Sequence, residues 1–307
     1  MRDLVGKVCL ITGANTGIGR VTARVLAARG AHVLLACRDR KKAEAVLDDI
    51  RNDSVSGSVS NPGSGSTTGS SSTTGSSSGS VSAAGSAELL ELDLSDLSSV
   101  RACAARVVSR AEPLHVLINN AGLAGKRGVT KQGFELTFGV NHLGHFLLTQ
   151  LLLPKLLQEP HSRVVNVSSK AHYNAPGIDF AELRQPSSVL RVLHAYNVSK
   201  LANVLHAKAL ASRYGARGLH SYALHPGVVA SEVWRQVPQP LRWFLLRGMI
   251  SNEEGAQTSL YCATSAEVAD HNGLYYDECN VKTPSRLAES SELAEQLWER
   301  SESYVAE

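Results

Sequence analysis

The stretch K-V-C-L-I-T-G-A-N-T-G-I-G-R-V-T-A-R-V-L-A-A-R-G, Lys7 to Gly30, decides the fold. Lys7 to Ile11 is a short apolar run that ends in a glycine-rich turn, Thr12 to Gly19. Helical periodicity follows through Val21, Val25 and Leu26 and stops at Gly30. Strand, glycine turn and helix in succession are the context in which such a turn cradles a dinucleotide. Glycines let backbone amides approach a pyrophosphate, and the helix N-terminus brings partial positive charge to it. The spacing is G-x-x-x-G-x-G over Gly13, Gly17 and Gly19, not G-x-G-x-x-G. A plain tight turn is the competing reading, and the rest of the chain has to decide between them.

His32 to Ala36 reads as a second strand, and the residues after it bear on cofactor choice. An acid near this point holds the ribose 2′-hydroxyl of NAD, whereas an Arg accommodates the 2′-phosphate of NADP. Here the chain runs A-C-R-D, with Cys37 where the acid is expected and Arg38 next. Asp39 reads as the N-cap of a charged amphipathic helix over 39–52. The expectation is NADP(H) in preference to NAD(H).

Residues 54–86 are mostly Ser, Gly and Thr. Such a composition buries too little apolar surface to offset its ordering entropy, so it reads as a flexible surface insertion. Long loops cost little extra closure entropy. Deleting residues 56–84 is therefore expected to leave the melting temperature and turnover nearly unchanged; a large drop in thermal stability would show that the segment packs.

Beyond it, strands are expected at Glu88–Leu92, His115–Ile118, Arg163–Val167 and Leu219–Leu224, with helices between. Six strands alternating with helices predict a single α/β domain over 1–307, a parallel doubly wound sheet of the Rossmann-like kind with helices on both faces. Ligands in such sheets lie beyond the carboxyl ends of the strands. The glycine turn, Asp93, N-N-A-G (Asn119 to Gly122), Ser169 and Pro226-Gly227 all fall at strand ends and so converge on one rim.

A-Y-N-V-S-K-L-A-N, Ala195 to Asn203, lies in a helical segment. Tyr196 and Lys200 are four residues apart, which stacks their side chains on one helix face. An ammonium beside a phenol favours the anion, so the tyrosine pKa is expected to fall below about 10. A tyrosine so poised is an acid or base for an alcohol or carbonyl oxygen. His142 and His145, in V-N-H-L-G-H-F, also share a helix face, but with no third ligand nearby they read as packing or polar histidines, and no metal site is expected.

The chain has 307 residues, 43% of them hydrophobic and 19% charged, and this suits a soluble globular protein with a sizeable core. A net charge of +3 with no basic run gives no case for nucleic acid. Five scattered cysteines, never in C-x-x-C, argue for a reducing compartment and against a disulfide framework. No apolar run approaches the length of a spanning helix, and the expected location is cytoplasmic, with contact to a membrane surface an open alternative.

With these residues assembled, the chain resembles the short-chain dehydrogenase/reductase family. T-G-A-N-T-G-I-G, D-L, N-N-A-G, the Asn of V-N-H-L-G-H-F, paired serines, Y-N-V-S-K and H-P-G stand in that family's order over about residues 7 to 230. The wording of A-C-R-D, V-N-H-L-G-H-F, V-N-V-S-S-K-A-H and Y-N-V-S-K-L-A-N is similar to the retinol dehydrogenase branch, as are G-A-Q-T-S-L-Y-C-A and G-L-Y-Y near the C-terminus. The resemblance implies that Tyr196 is the acid/base and that Lys200 lowers its pKa and binds the nicotinamide ribose. It implies that Ser169 hydrogen-bonds the substrate oxygen and that Asn141 supports a water relay to the lysine. It places Gly13, Asn15, Thr16, Gly17, Ile18, Gly19, Arg38, Asp93, Leu94, Asn120, Ala121, Gly122, Pro226 and Gly227 around the cofactor. A homodimer is compatible with it. The Ser/Gly-rich insertion departs from the family pattern, and no N-terminal hydrophobic anchor is expected from this sequence, where membrane-bound retinol dehydrogenases usually carry one.

The expected activity is NADP(H)-dependent interconversion of a lipophilic alcohol, such as a retinoid, with its aldehyde or ketone. A cofactor-binding scaffold that senses nicotinamide redox state is the alternative, and four intact catalytic-type residues count against it. A nucleotide-sugar epimerase is a third reading, opposed by the spacing of the glycine turn. Residues 231–250 carry Trp234, Trp243 and Phe244 among apolar residues with three arginines, and read as an amphipathic lid over the substrate.

Overall fold

The computed structural model describes residues 2–56, 85–188, 191–228 and 250–306. Among them, eight strands form one sheet: β1 (Val8–Thr12), β2 (His32–Cys37), β3 (Ser86–Glu91), β4 (Val116–Asn119), β5 (Arg163–Val167), β6 (His220–His225), β7 (Leu274–Asp277) and β8 (Asn280–Lys282). Their order is β3-β2-β1-β4-β5-β6-β7-β8, parallel throughout except for β8, which runs antiparallel to β7. The six strands expected from sequence lie within about two residues of their expected places. Two more extend the sheet beyond β6, where six were expected.

The sheet is covered on both faces, which β1 (V-C-L-I-T) and β2 (H-V-L-L-A-C) encode as near-continuous apolar runs. Along β1 the side chains alternate. Val8 and Leu10 join a core with Leu34, Leu117, Val164 and Ala223. On that side lie α3 (Leu97–Val108), α5 (Gly144–Leu156), α6 (Val192–Tyr214) and α9 (Ser291–Ala306), and Trp298 of α9 is among the side chains buried there. Cys9 and Ile11 point the other way, to Val33, Leu35, Val165 and Leu224, under α1 (Gly17–Ala28), α2 (Arg40–Ser56) and α7 (Asn252–Thr264). Each buried Leu, Ile or Val is worth about 1.5–3 kcal/mol against exposure. Among the described residues the remaining α-helices are single turns, α4 (Leu136–Phe138) and α8 (Arg286–Glu289).

α2 runs to Ser56, so the first residues of the expected 54–86 insertion belong to a helix, and its last residue opens β3. The rest of that insertion, like residues 231–249 of the expected lid, lies outside the described residues. Gly85 enters β3 against the carbonyl of Ala27; a Cβ there would lie 2.0 Å from that oxygen, so no larger residue fits.

Strand order reverses direction between β1 and β4, and at such a switch point the outgoing loops diverge and leave a crevice. The turn after β1 and the N-N-A-G turn after β4 flank it.

Candidate active site

Six strands, β1 to β6, end beside the residues singled out from sequence. β1 ends at Thr12, and Gly13 follows with φ +67°, a left-handed conformation that favours glycine. Gly19 is held by close approach: a Cβ there would lie 2.5 Å from the Gly13 carbonyl oxygen and 2.6 Å from the Asn120 amide nitrogen. Thr16, at the N-cap of α1, makes no side-chain cap, which leaves the first amides of the helix for a ligand. Asn15, Thr16 and Ile18 are partly exposed along this turn.

β2 ends at buried Cys37, and Arg38 projects with its side chain 71% exposed, its guanidinium 3.9 Å from the Asp93 carboxylate. Asp39 accepts from the backbone N–H of Lys42 at 3.2 Å, as an N-cap of α2 should. Asp93 accepts from the Ser95 amide and hydroxyl, whereas Leu94 is buried with its carbonyl against Gly144.

After β4, the Asn120 side chain donates to the Thr12 carbonyl at 2.8 Å, and the backbone N–H groups of Asn120 and Ala121 both donate to the Thr12 hydroxyl at 2.9 Å. Gly122 faces the catalytic-type residues directly. A Cβ on it would lie 3.4 Å from Asn141 Oδ1 and 3.6 Å from Lys200 Nζ.

Asn141 sits fully buried in a π-turn, Gly139–Leu143, between α4 and α5. The Gly144 N–H reaches back to the Gly139 carbonyl, a widened ladder of a kind that often marks functional sites. Its side chain is fixed at both ends: Oδ1 accepts from the Leu123 N–H at 2.8 Å, and Nδ2 donates to the Leu123 carbonyl and the Ser199 hydroxyl at 3.0 Å. Ser199 in turn donates to the Tyr196 carbonyl.

Tyr196 and Lys200 both stand on α6, with the ammonium 5.5 Å from the centre of the tyrosine ring. Lys200 is buried and donates to the Val167 carbonyl at 3.0 Å; burial lowers its pKa to about 8. Ser168 is structural, donating to the Lys200 carbonyl, while the Ser169 hydroxyl accepts from the Ala171 N–H at 3.2 Å and lies close enough to Tyr196 to act on its phenol. The expected fall in the tyrosine pKa is not what these residues give. Desolvation of the phenol pushes it above its ordinary value, and the nearby Ser169 hydroxyl only partly opposes this. The lysine's contact is with the strand carbonyl and the ring, so its charge does not decide the balance. After β6, Pro226 and Gly227 follow His225, and the Ile250 N–H donates to the Val228 carbonyl at 3.0 Å.

Thr12, Ser199 and His145 were not selected from sequence, yet each is hydrogen-bonded into this assembly. Thr12 and Ser199 stand inside the quoted motifs, and that was the available signal. A cleft of about 910 Å³ opens beside the start of α6, between Ile178, Asp179, Phe180, Arg191 and His194. None of the four catalytic-type residues lines it.

A family model for short chain dehydrogenase matches residues 7–61 and 73–181, and Retinol dehydrogenase 12 of Mus musculus is 42% identical over 96% of this chain and 85% of its own length. The chain belongs to the short chain dehydrogenase family. Retinol dehydrogenase 13 of Homo sapiens is 39% identical over 96% of this chain and 83% of its own. A solved structure of an uncharacterized protein from Mycobacterium Paratuberculosis is 33% identical with a TM-score of 0.71, covering 99% of this chain and 96% of that one. The stretch that the family model skips, 62–72, lies within the Ser/Gly/Thr-rich insertion. As a short chain dehydrogenase the protein is an oxidoreductase that uses a nicotinamide cofactor. Its residues fit that group: space is kept at Gly19 against Gly13 and Asn120, and at Gly122 against Asn141 and Lys200.

Proposed function

We propose that this short chain dehydrogenase interconverts a lipophilic alcohol and its aldehyde or ketone, retinoid-like in size and polarity, with NADP(H) as cofactor and Tyr196 as acid/base. The observation that carries the reading is the grouping of Ser169, Tyr196, Lys200 and Asn141 beside Gly122 at the strand-end rim. When bound, the nicotinamide supplies or accepts the hydride. Ser169 and Tyr196, close enough for the serine to act on the phenol, offer two hydroxyls to one substrate oxygen. A phenol held above its ordinary pKa is protonated at neutral pH, so the proton needed for carbonyl reduction is in place, on a weaker acid than one poised near the working pH. Lys200, titrating near 8, shares its charge between protonation states close to neutrality and can restore the tyrosine proton. Resemblance to retinol dehydrogenases supports the lipophilic substrate. No helix among the described residues is long and apolar enough to cross a membrane.

Cofactor preference rests on Arg38, whose exposed guanidinium is available to a 2′-phosphate, while Asp39 is occupied as a cap. NADPH is expected to bind at least tenfold more tightly than NADH, and Arg38→Asp to narrow or invert the ratio, as read by fluorescence titration of both. Equal affinities in the unmutated protein would sink the NADP assignment. A panel of retinal, steroid ketones and short aldehydes tests the substrate class; faster turnover of short polar aldehydes overturns it.

A further inference from the structure

His145 is buried on α5, and its ring joins two parts of the site. Nδ1 lies 3.0 Å from the Asn141 carbonyl oxygen and Nε2 lies 2.8 Å from the Thr12 hydroxyl. The protonation of this bridge follows from its partners. A carbonyl only accepts, so Nδ1 carries the hydrogen. Burial pushes the imidazole pKa down to about 4, so the ring is neutral and Nε2 is bare at physiological pH. The Thr12 oxygen already accepts from the Asn120 and Ala121 amides, and its single hydrogen has one good acceptor, because the Ile118 carbonyl stands farther off at 3.5 Å. It therefore donates to Nε2. The hydrogen bonds run in one direction, from the Asn120 and Ala121 amides through Thr12 and His145 to the Asn141 carbonyl.

We propose that His145 is a positioning residue that fixes the spacing between the Asn141 backbone and the Asn120–Ala121–Gly122 turn. That spacing sets how Gly122 meets Asn141 and Lys200, because both groups lie within 4 Å of a Cβ position on Gly122. The bridge holds and does not carry protons. At its far end stand two backbone amides, which do not ionise, so a proton entering from Asn141 would have no exit. The inference rests on the roles proposed above for Tyr196, Lys200 and Asn141.

Three substitutions separate the two arms of the bridge. His145→Leu keeps volume and removes both bonds. His145→Asn retains a nitrogen donor where Nδ1 stands, and His145→Gln retains a polar group where Nε2 stands. For His145→Leu, kcat should fall about 30-fold while substrate KM and NADPH Kd stay within about threefold. His145→Asn should recover kcat to within about fivefold of the unmutated enzyme, and His145→Gln should recover less. A role in packing alone predicts the opposite ranking, with Leu the best tolerated. Leu within twofold of the unmutated kcat, or Asn no better than Leu, overturns the proposal.

A measurement on the unmutated protein covers the case in which the variants fail to fold. The ¹⁵N shifts of His145 should report a neutral ring protonated at Nδ1 from pH 7.5 to 5.5. An Nε2-protonated or charged ring in that range overturns the assignment. If Tyr196→Phe retains activity, the catalytic reading fails first. If Tyr196→Phe is inactive and His145→Leu is fully active, only the positioning role fails.

Discussion

Tyr196→Phe should lower kcat by about 10²–10⁴-fold, the usual contribution of a positioned acid/base, while NADPH affinity changes less than about threefold. The substitution keeps the ring under which Lys200 sits and removes only the hydroxyl that lies near Ser169. Even a whole hydrogen bond lost there costs about 1 kcal/mol, so the melting temperature should shift by only a few degrees. Lys200→Ala differs because the buried lysine also spans to the Val167 carbonyl beside Asn203. It should lose both turnover and cofactor affinity. Single-turnover reduction with NADPH and a titration of the same protein check the two expectations together. A Tyr196→Phe enzyme retaining more than a few per cent of kcat would remove Tyr196 from the chemistry.

The second large effect is acid lability. His145, His206 and His225 are buried and held neutral by desolvation, with pKa values lowered to about 4, 3 and 4, and His142 is lowered well below its ordinary value by the same cause. In the unfolded chain each takes up a proton near pH 6.5. Stability from these groups is thus fully present above about pH 7 and is lost as pH falls from 6.5 towards 4. Each buried histidine contributes about 1.4 kcal/mol per pH unit in that window. The three with stated values together cost about 4 kcal/mol at pH 5.5, a large share of the 5–15 kcal/mol of a typical domain. Depressed carboxylates such as Asp3, at about 2, act only at lower pH and leave this window to the histidines. Thermal melts should therefore fall steeply between pH 6.5 and 5, and His206→Phe should make the slope shallower. A flat profile across that range would rule the effect out.

The parts of the molecule that could be read from sequence are those whose signal is local. Apolar runs of four to six residues between helices marked β1 to β6, and each motif sat at the end of its strand because parallel sheets place them there. β7 and β8 escaped for the opposite reason. β7 is L-Y-Y-D, four residues with no helix between it and β8, and β8 has three residues, all exposed, so neither carries the strand–helix alternation that marked the others. The tyrosine helix was legible, but its electrostatics were not: the spacing of Tyr196 and Lys200 says nothing of how deeply the phenol is desolvated. His145 read as a packing or polar histidine, and the sequence could not indicate Thr12, 133 residues earlier, as its partner.

Gly85 pressed on Ala27, with Ser86 opening β3, puts the return of the Ser/Gly/Thr-rich segment at the amino ends of the strands. β3 then travels six residues, about 20 Å, before its chain reaches the rim that holds Asp93. The junction at Gly85 and the reacting rim stand at opposite ends of β3. Cargo spliced between Ser56 and Gly85, such as a fluorescent reporter or a tether to an electrode, would ride on the enzyme with the reacting face still turned outward.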